Sequence, residues 1–327
     1  YNAHGDQFVT ACQDGIAYIR SATTGECTKT TSESNGPLKL AQFHLDLPLL
    51  ITGGARQGAA LHRLDAEETI SLLAADNSRV VEATFSCDGG LAFVAESRGS
   101  FGVLRPREAG DSPQTIRTEQ SIDSAALSPD GRWIAIGHST PSVDIWEASP
   151  TLGKIASMQS AQPIRLVRFG PESNRLLSVA DRCARIWGLP VGDHASMIEV
   201  PRAITLAQFL NGGEWLATIV RARTLVIRNA SEADTQKIVS IELAYPIKHS
   251  CFADANALWA VADDHGIVRF GRIGTTATGE IDAHELAPLA ALASDQDGHR
   301  LAIVSESGQT WVVTLGGDQL TKEQGTL

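Results

Sequence analysis

The stretch ALSPDGRWIAIGHSTPSVDIWEA, residues 126–148, contains two short apolar segments, WIAIG and SVDIW, separated by a polar turn. An Asp-Gly pair precedes the first segment, and glycine allows the backbone angles that a tight turn requires. Two short apolar segments joined by a turn are typical of an antiparallel hairpin. The fold therefore depends on whether this hairpin occurs once or is one copy of a repeat.

Segments similar to SVDIW recur along the whole chain at an almost constant spacing. They end at Arg20, Arg63, Arg105, Trp146, Trp187, Arg228, Phe270 and Val313, with intervals of 43, 42, 41, 41, 41, 42 and 43 residues. So regular a spacing indicates a structural repeat of about 40–45 residues.

A second marker has the same period. It has the form apolar-x-x-small-x-aromatic, as in Val80, Ala83 and Phe85. The first two marked residues are three positions apart and the last two are two positions apart, and this change of spacing predicts a strand with a bulge. Asp-Gly or Asn-Gly turns and a short strand such as LAFVA or WIAIG follow, and a weaker polar strand such as residues 237–243 ends the unit. Four antiparallel strands per unit and no sustained helical periodicity predict an all-β fold, a β-propeller of four-stranded antiparallel blades.

The LSPDG, DIW and RIW segments resemble the WD40 family, and the resemblance covers nearly the whole chain. Repeats of that family hold a Gly-His pair, a Ser, a tight-turn Asp and a Trp in one hydrogen-bonded set. Here the copies are degenerate, so we expect packing between blades to supply most of the stability. The matching positions are Asp14, Asp181 and Asp264 for the Asp, Trp146 and Trp187 for the Trp, and His284 for the His.

The alignment gives eight pairs of second and third strands but seven complete inner strands. Tyr1 aligns with Leu127, the last residue of an inner strand. We therefore expect residues 1–327 to form a single WD40-like propeller of eight blades, truncated in its first repeat and part of a longer polypeptide. The alternative is seven blades plus a partial blade. The tail GGDQLTKEQGTL is a candidate for the last outer strand.

Composition narrows the classes of function. The 327 residues carry a net charge of −11, which disfavours general binding to nucleic acid. No apolar run is long enough for a membrane helix, so we expect no membrane partner. Five widely spaced cysteines indicate a reducing, cytoplasmic environment, and we expect them to be buried and inert.

Basic residues recur at the starts of the inner strands and in the turns between second and third strands, which share one face in WD40 propellers. The remaining turns carry Asp88, Asp130, Glu172, Glu214, Asp254, Asp295 and Asp297. One hypothesis is a basic top face that binds an acidic protein or peptide; the alternative is that both sets only suit tight turns. The candidate partner-binding residues are Lys39, Arg56, Arg98, Arg165, Arg182, Arg221, Arg223 and Lys248, with Arg79 and Arg202 at equivalent positions.

The sequence predicts no cofactor, no metal site and no catalytic residue. The nearest approach to a ligand cluster is Asp263, Asp264 and His265 at one turn, while the inner strands offer Glu82, Asp123 and His249. Catalytic propellers need several such groups at a defined geometry, and no nucleophile elbow or phosphate-binding loop occurs.

The resemblance therefore implies a non-catalytic protein-interaction or ligand-sensing propeller. Degenerate WD40 arrays often form the sensor end of multi-domain signalling proteins such as bacterial STAND ATPases, and the 21 Arg against 6 Lys fit a GC-rich bacterial genome. Other domains of the same polypeptide are then expected partners. Two alternatives stay open: a metal-dependent propeller hydrolase, and a nucleic-acid binder that uses the basic face.

Overall fold

A computed structural model describes residues 2–31, 36–66, 68–76, 78–108, 112–148, 152–189, 194–200, 202–230, 237–253, 257–275, 278–295, 297–307, 309–315 and 321–326. Eight antiparallel sheets follow one another along the chain, and we number them blades 1 to 8. The β-propeller of eight blades that the repeat predicts is confirmed, as opposed to seven blades plus a partial one.

The strand bounds follow the repeat. Blades 1 to 4 contain β1 (Gln7–Ala11), β2 (Ala17–Ser21), β3 (Cys27–Thr30); β4 (Leu38–Phe43), β5 (Leu49–Gly54), β6 (Gln57–Arg63), β7 (Glu68–Asp76); β8 (Val80–Phe85), β9 (Ala92–Glu96), β10 (Ser100–Leu104), β11 (Gln114–Arg117); and β12 (Ile122–Leu127), β13 (Trp133–His138), β14 (Ser142–Glu147), β15 (Gly153–Gln159). Blades 5 to 8 contain β16 (Leu166–Phe169), β17 (Arg175–Val179), β18 (Cys183–Gly188), β19 (His194–Glu199); β20 (Ile204–Leu210), β21 (Trp215–Val220), β22 (Thr224–Asn229), β23 (Lys237–Glu242); β24 (Ile247–Ala253), β25 (Leu258–Asp263), β26 (Ile267–Arg272), β27 (Thr278–Asp282); and β28 (Leu289–Ser294), β29 (Arg300–Ser305), β30 (Gln309–Thr314), β31 (Thr321–Thr326). A single turn of 3-10 helix, His284–Leu286, precedes β28.

In blades 2 to 8 the hydrogen-bonded order of the strands is their order in the chain, and we call them inner, second, third and outer. Blade 1 has three strands, and the repeat makes β1 its second strand. The tail prediction is confirmed, because β31 pairs with β30 as the outer strand of blade 8.

Contacts divide the chain into two compact units. Unit 1 comprises Tyr1–Ala180 and Trp187–Asp193, and unit 2 comprises Asp181–Ile186 and His194–Leu327. Blades 1 to 4 belong to unit 1 and blades 6 to 8 to unit 2. Within the described residues, the helix content is the 3-10 turn alone, and none of it is long or apolar enough to cross a membrane.

The predicted bulge is present near the start of the inner strands. The pairing register shifts after Leu38, Val80, Ile122, Ile204, Ile247 and Leu289, each time after the first residue of the strand. A bulge adds one residue and increases the local twist of the strand. This extra residue is why the apolar pattern changes step within each repeat.

Second strands form the most buried layer of the blades. Every residue of β5, β9, β13 and β25 is buried. The apolar clusters combine residues of consecutive blades, such as Ile51 of blade 2 with Val94 of blade 3. Burying one such side chain stabilises the fold by roughly 1.5–3 kcal/mol, so neighbouring blades stabilise each other.

A backbone hydrogen bond recurs where one blade meets the next. The N–H at the start of an inner strand donates to a carbonyl at the second-to-third turn of the preceding blade: Leu38 to Cys12 (3.0 Å), Ile122 to Ser97 (3.1 Å), Ile164 to His138 (3.3 Å), Ile204 to Asp181 (2.8 Å) and Ile247 to Ala222. The five donor residues are all buried apolar residues. One position therefore both bonds and packs against the preceding blade.

Glycine in a second strand makes room for this side chain. A Cβ at Gly137 would lie 2.8 Å from Cγ2 of Ile164 and 3.2 Å from Cγ1 of Val167, and one at Gly53 would lie 2.8 Å from Cγ1 of Val80. The two 2.8 Å distances are shorter than real Cβ contacts, so these glycines permit the close approach of consecutive blades.

Two predictions about individual residues are wrong. The cysteines are not buried: Cys27 and Cys87 are exposed, and Cys12, Cys183 and Cys251 are half-buried, because they occur on strand faces and turns rather than in the second strands. His284 does not join a buried WD40 set. Its side chain is 67 % exposed, and its Nδ1 lies 2.7 Å from Oδ1 of Asp282, the last residue of β27.

We predict that Gly137→Ala lowers the free energy of unfolding by roughly 1–3 kcal/mol, since the new methyl group overpacks against Ile164. Urea unfolding followed by tryptophan fluorescence measures the change. Gly36→Ala is the matched control, because a Cβ there meets the side chain of Arg56 at an ordinary 3.6 Å. Equal effects of the two substitutions would contradict the proposed role of Gly137.

Candidate functional site

The starts of the inner strands lie beside the turns between second and third strands. Within single blades, the N–H of Ala55 donates to the carbonyl of Pro37, that of Ser97 to Arg79 and that of Arg221 to Ala203, each at 2.9 Å. We call the surface formed by these strand starts and turns the loop face of each unit. Its backbone is fixed by hydrogen bonds, so it presents side chains from a rigid scaffold.

All eight candidate binding residues lie on the loop face and are exposed, as are Arg79 and Arg202. The basic residues of unit 1 are Lys39 and Arg56 in blade 2, Arg79 and Arg98 in blade 3, and Arg165 before β16. Those of unit 2 are Arg182 before β18, Arg202 before β20, Arg221 and Arg223 between β21 and β22, and Lys248 in β24.

Hydrogen bonds join the basic segments of unit 2 into one surface. Asp181, next to Arg182, accepts the N–H of Ile204 at 2.8 Å, two residues after Arg202. Ala203 accepts from Arg221, and Ala222 accepts from Ile247, next to Lys248. We call Arg182, Arg202, Arg221, Arg223 and Lys248 the basic patch. Unit 1 lacks this continuity in its described part, since no basic residue stands at the loop-face positions of blade 4.

The turn that carries Arg221 has an unusual backbone. Arg221 and Ala222 have φ angles of 55° and 53°, and the N–H of Arg223 donates to the carbonyl of Val220 at 3.1 Å. Two consecutive residues with positive φ form the hairpin turn that favours Asn-Gly. Arg and Ala each adopt this conformation at a cost of roughly 1–2 kcal/mol, and such strain is often found at functional sites.

The loop face of unit 2 is not uniformly basic. Asp264, Glu285 and Glu306 occupy loop-face positions in blades 7 and 8. The basic patch is thus limited to blades 5 and 6 and the start of β24.

The acidic residues at the other turns have a local structural role. Asp88 accepts from the hydroxyl of Ser86 at 2.6 Å and from the N–H of Gly90 at 2.8 Å, and these bonds lower its pKa. Asp295 accepts the N–H groups of Arg300 and His299, which lower its pKa in the same way. The hydrogen bonding of tight turns therefore accounts for Asp88 and Asp295 without a binding role. Asp254 lies outside the described residues.

The Asp263, Asp264 and His265 group has the contacts of a tight turn. Its potential ligand atoms lie within 4.8 Å of one another. However, Oδ1 of Asp263 already accepts the N–H groups of His265 and Ile267, both at 3.0 Å, and Tyr245 stacks on the His265 ring at 3.7 Å. These contacts account for the arrangement of the three side chains as part of a tight turn.

Of the three titratable candidates on the inner strands, Glu82 and His249 have partners of their own. Nη1 of Arg168 lies 3.6 Å from Oε2 of Glu82. Burial raises the pKa of Glu82, and the nearby charge of Arg168 offsets only part of that rise. His249 Nε2 lies 2.9 Å from the carbonyl of Leu289. Asp123 is exposed. The structure therefore does not bring Glu82, Asp123 and His249 together by any described contact.

Two further polar pairs contribute to the blades. In blade 5, Trp187 Nε1 donates to Ser178 Oγ at 2.8 Å, as the WD40 resemblance implies, whereas Trp146 Nε1 in blade 4 has no partner among the described residues. In blade 2, His62 Nε2 lies 2.8 Å from Thr52 Oγ1, and burial lowers the pKa of His62. By strand pairing, His62 lies opposite Leu50 as Trp146 lies opposite Ile134, so blade 2 has His where blade 4 has Trp.

Blade 4 contains a polar cluster that sequence reasoning missed, in which Asp144 and His138 are buried and Lys154 is exposed. Oδ2 of Asp144 lies 3.0 Å from Nε2 of His138 and 2.8 Å from Nζ of Lys154. Burial alone would raise the pKa of Asp144, but the hydrogen bonds from His138, Lys154 and Ser157 outweigh it and lower the pKa to about 2. The Asp of the DIW segment therefore holds three strands of one blade together.

Sequence reasoning also missed the buried carboxylate of Glu96, which lies at the end of β9 beside the loop face. The side chain is fully buried, and neither carboxylate oxygen has a hydrogen-bond partner within the described part of the chain. Burial raises its pKa from 4.5 to about 7. No sequence signal marks it, because Glu commonly ends strands at exposed turns.

Comparison with protein-family models finds no match, and neither does comparison with curated proteins. Solved structures do match. The chain is similar to Sqt1 of Saccharomyces cerevisiae, with TM-score 0.69 and 16 % identity over 86 % of this chain and 83 % of that chain. It is also similar to the β-propeller domain of Myceliophteria thermophila Cps50 (Swd1), with TM-score 0.61 and 10 % identity over 84 % and 94 %. A chain of the mitotic checkpoint complex matches with TM-score 0.61 and 13 % identity over 82 % and 86 %. These similarities agree with the β-propeller fold that the repeat predicts.

We predict that Glu96→Gln stabilises the protein at pH 8 by roughly 2 kcal/mol and has little effect at pH 5. The folded state binds the Glu96 proton more tightly than the unfolded state does, so wild-type stability falls as the pH rises from about 4.5 to about 7. Urea unfolding at both pH values measures the difference. Glu119→Gln, at an exposed position, is the control and should change stability at neither pH. A stabilisation by Glu96→Gln of equal size at both pH values would contradict the explanation.

Proposed function

We propose that this chain is a non-catalytic interaction module that binds an acidic protein or peptide segment at the basic patch. One observation carries the proposal: five exposed basic side chains stand on strand starts and turns that backbone hydrogen bonds join into one surface. Four of the five are Arg, whose planar guanidinium binds carboxylates through two parallel hydrogen bonds.

The charge distribution supports an acidic ligand. The net charge of −11 repels an acidic segment from most of the protein, whereas the basic patch attracts it. Such contrast directs association to one surface and suppresses other modes of docking. It also disfavours nucleic acid, whose backbone would meet acidic residues beyond the patch.

The architecture supports a binding role over a catalytic one. Three of the described candidates for acid, base or metal chemistry, Glu82, His249 and Asp263, have structural partners. One structural relative was solved as part of a complex, the mitotic checkpoint complex. We further propose that the propeller is the sensor element of a larger cytoplasmic signalling polypeptide, on the basis of its degenerate repeats and unpaired cysteines.

We predict that the triple charge reversal Arg182→Glu, Arg221→Glu and Arg223→Glu weakens binding of acidic peptides at least roughly tenfold, since each lost exposed ion pair contributes a few tenths to about 1 kcal/mol and each reversal adds repulsion. The probe is a fluorescein-labelled peptide in which Glu alternates with Leu. Fluorescence anisotropy titrations at low and high salt measure its affinity, which should fall with salt.

The matched control reverses the charge of three other residues by Arg→Glu substitution at Arg20, Arg132 and Arg300. Arg20 lies near the end of β2, Arg132 directly precedes β13, and Arg300 begins β29, all away from the loop face. It changes the net charge by the same amount and should leave binding of the Glu-Leu peptide within about twofold. Binding that survives the patch reversal, or that falls equally in the control, would show that an acidic partner does not dock at the basic patch.

A further inference from the structure

An exposed aromatic residue stands on the loop face of unit 2. Tyr245 lies directly before inner strand β24 and is 43 % exposed. The other exposed large apolar residues of the described chain are Leu45, Ile155 and Met197. Single apolar residues are common on protein surfaces, so exposure alone does not indicate a site. The contacts of Tyr245 distinguish it from the other three.

The backbone on both sides of Tyr245 is bonded to the basic patch. The N–H of Leu243 donates to the carbonyl of Arg223 at 2.9 Å, and the N–H of Ile247 donates to the carbonyl of Ala222. Tyr245 is two residues away from each donor. The segment that carries its ring is therefore anchored at both ends to the strained turn of the basic patch.

The ring of Tyr245 is held in place by His265. The two ring centroids lie 3.7 Å apart, and the ring planes are inclined by 22°. His265 is fixed in turn, because its Nδ1 lies 3.0 Å from Oδ1 of Asp264 and its N–H donates to Oδ1 of Asp263 at 3.0 Å. Pro246 also restricts the backbone of the residue that precedes it. One face of the Tyr245 ring is thus covered and the side chain is ordered without a ligand.

An ordered, exposed ring beside arginines has the properties of a binding hot spot. Tyr and Arg are among the residue types that contribute most to the affinity of protein interfaces. Ordering a side chain is one of the costs of association, and a ring that is already stacked has met most of that cost. Tyr245 therefore supplies apolar contact area that the basic side chains of the patch do not.

We propose that Tyr245, stacked on His265, is the apolar anchor of the basic patch and binds an aromatic residue that carboxylates flank in the bound segment. This inference rests on the proposed function and specifies the class of ligand. The aromatic residue of the ligand packs on Tyr245 in an offset or edge-to-face arrangement. The flanking carboxylates pair with Arg221 and Arg223, which stand on the turn that anchors the Tyr245 segment. A segment without the aromatic residue makes the ion pairs alone.

Two fluorescein-labelled peptides of equal charge, EEEWEEE and EEEAEEE, test the proposal by anisotropy titration of the full chain. The tryptophan peptide should bind roughly tenfold more tightly, because an aromatic pair adds to the apolar area that is buried. Both affinities should fall as salt is added, since salt screens the ion pairs. The ratio of the two affinities should persist, since the ring contact is not screened.

Substitutions in the protein assign the preference to the ring. Tyr245→Ala should bring the two peptides to the same affinity, and Tyr245→Phe, which keeps the ring, should retain the preference for tryptophan. Leu45→Ala is the matched control, because it removes another exposed apolar side chain, 54 % exposed, from the turn between β4 and β5 away from the loop face. This control should leave both affinities unchanged.

The outcomes separate this proposal from the proposed function. Equal affinities of the wild-type chain for the two peptides, or a preference for tryptophan that persists in Tyr245→Ala, would overturn the role of Tyr245 and leave the basic patch intact. A dimer of the free chain that Tyr245→Ala dissociates would assign the ring to a contact between copies and would also overturn it. The triple Arg reversal should weaken both peptides and preserve their ratio. Failure of both peptides to bind the wild-type chain would overturn the proposed function together with this inference.

Discussion

The hydrogen bond from the first residue of an inner strand to the preceding blade is the contact on which the described architecture depends. Ile122 and Ile204 show both of its components: the N–H bonds to a turn carbonyl, and the side chain is buried. Its geometry fixes the spacing of consecutive blades, which explains why Gly137 stands where a methyl group would collide with Ile164. Within each unit, packing and hydrogen bonding thus act on the same residue.

That contact also produces the candidate site. Because the inner-strand starts and the second-to-third turns are bonded to each other, whichever side chains occupy them are held on one surface. In the basic patch, four of the five basic side chains are Arg. The turn at Arg221 and Ala222 has positive φ angles without glycine. The backbone strain at Arg221 and Ala222 thus lies at the proposed binding surface. The buried second strands stabilise the blades that carry this turn.

Periodicity was sufficient to predict the blades, because each strand class has its own apolar pattern. The bulge after Val80, the outer strand β23 and the last strand β31 could all be located this way. The loop-face positions of Arg182 and Lys248 followed from the same alignment. Side-chain partners could not be predicted, because they depend on three-dimensional packing and not on sequence spacing. Examples are the contacts of Asp144 with His138 and Lys154, and the lack of a hydrogen-bond partner for the Glu96 carboxylate among the described residues. The cysteine prediction failed for a related reason: average burial of a residue type says little about a single position on a strand face.

The turns at Asn2, Ser86 and Ser128 share a main-chain hydrogen bond to the residue five positions later. In each turn a side-chain oxygen also accepts the N–H of that later residue, and both Asn and Ser can supply such an oxygen. Evolutionary drift can therefore replace most side chains of a repeat while its geometry persists. The chain shares its fold with solved structures at sequence identities of 10–16 %, which is compatible with this tolerance of side-chain replacement. Gene duplication of such a unit yields copies that still interlock after their sequences have ceased to be recognisable as relatives.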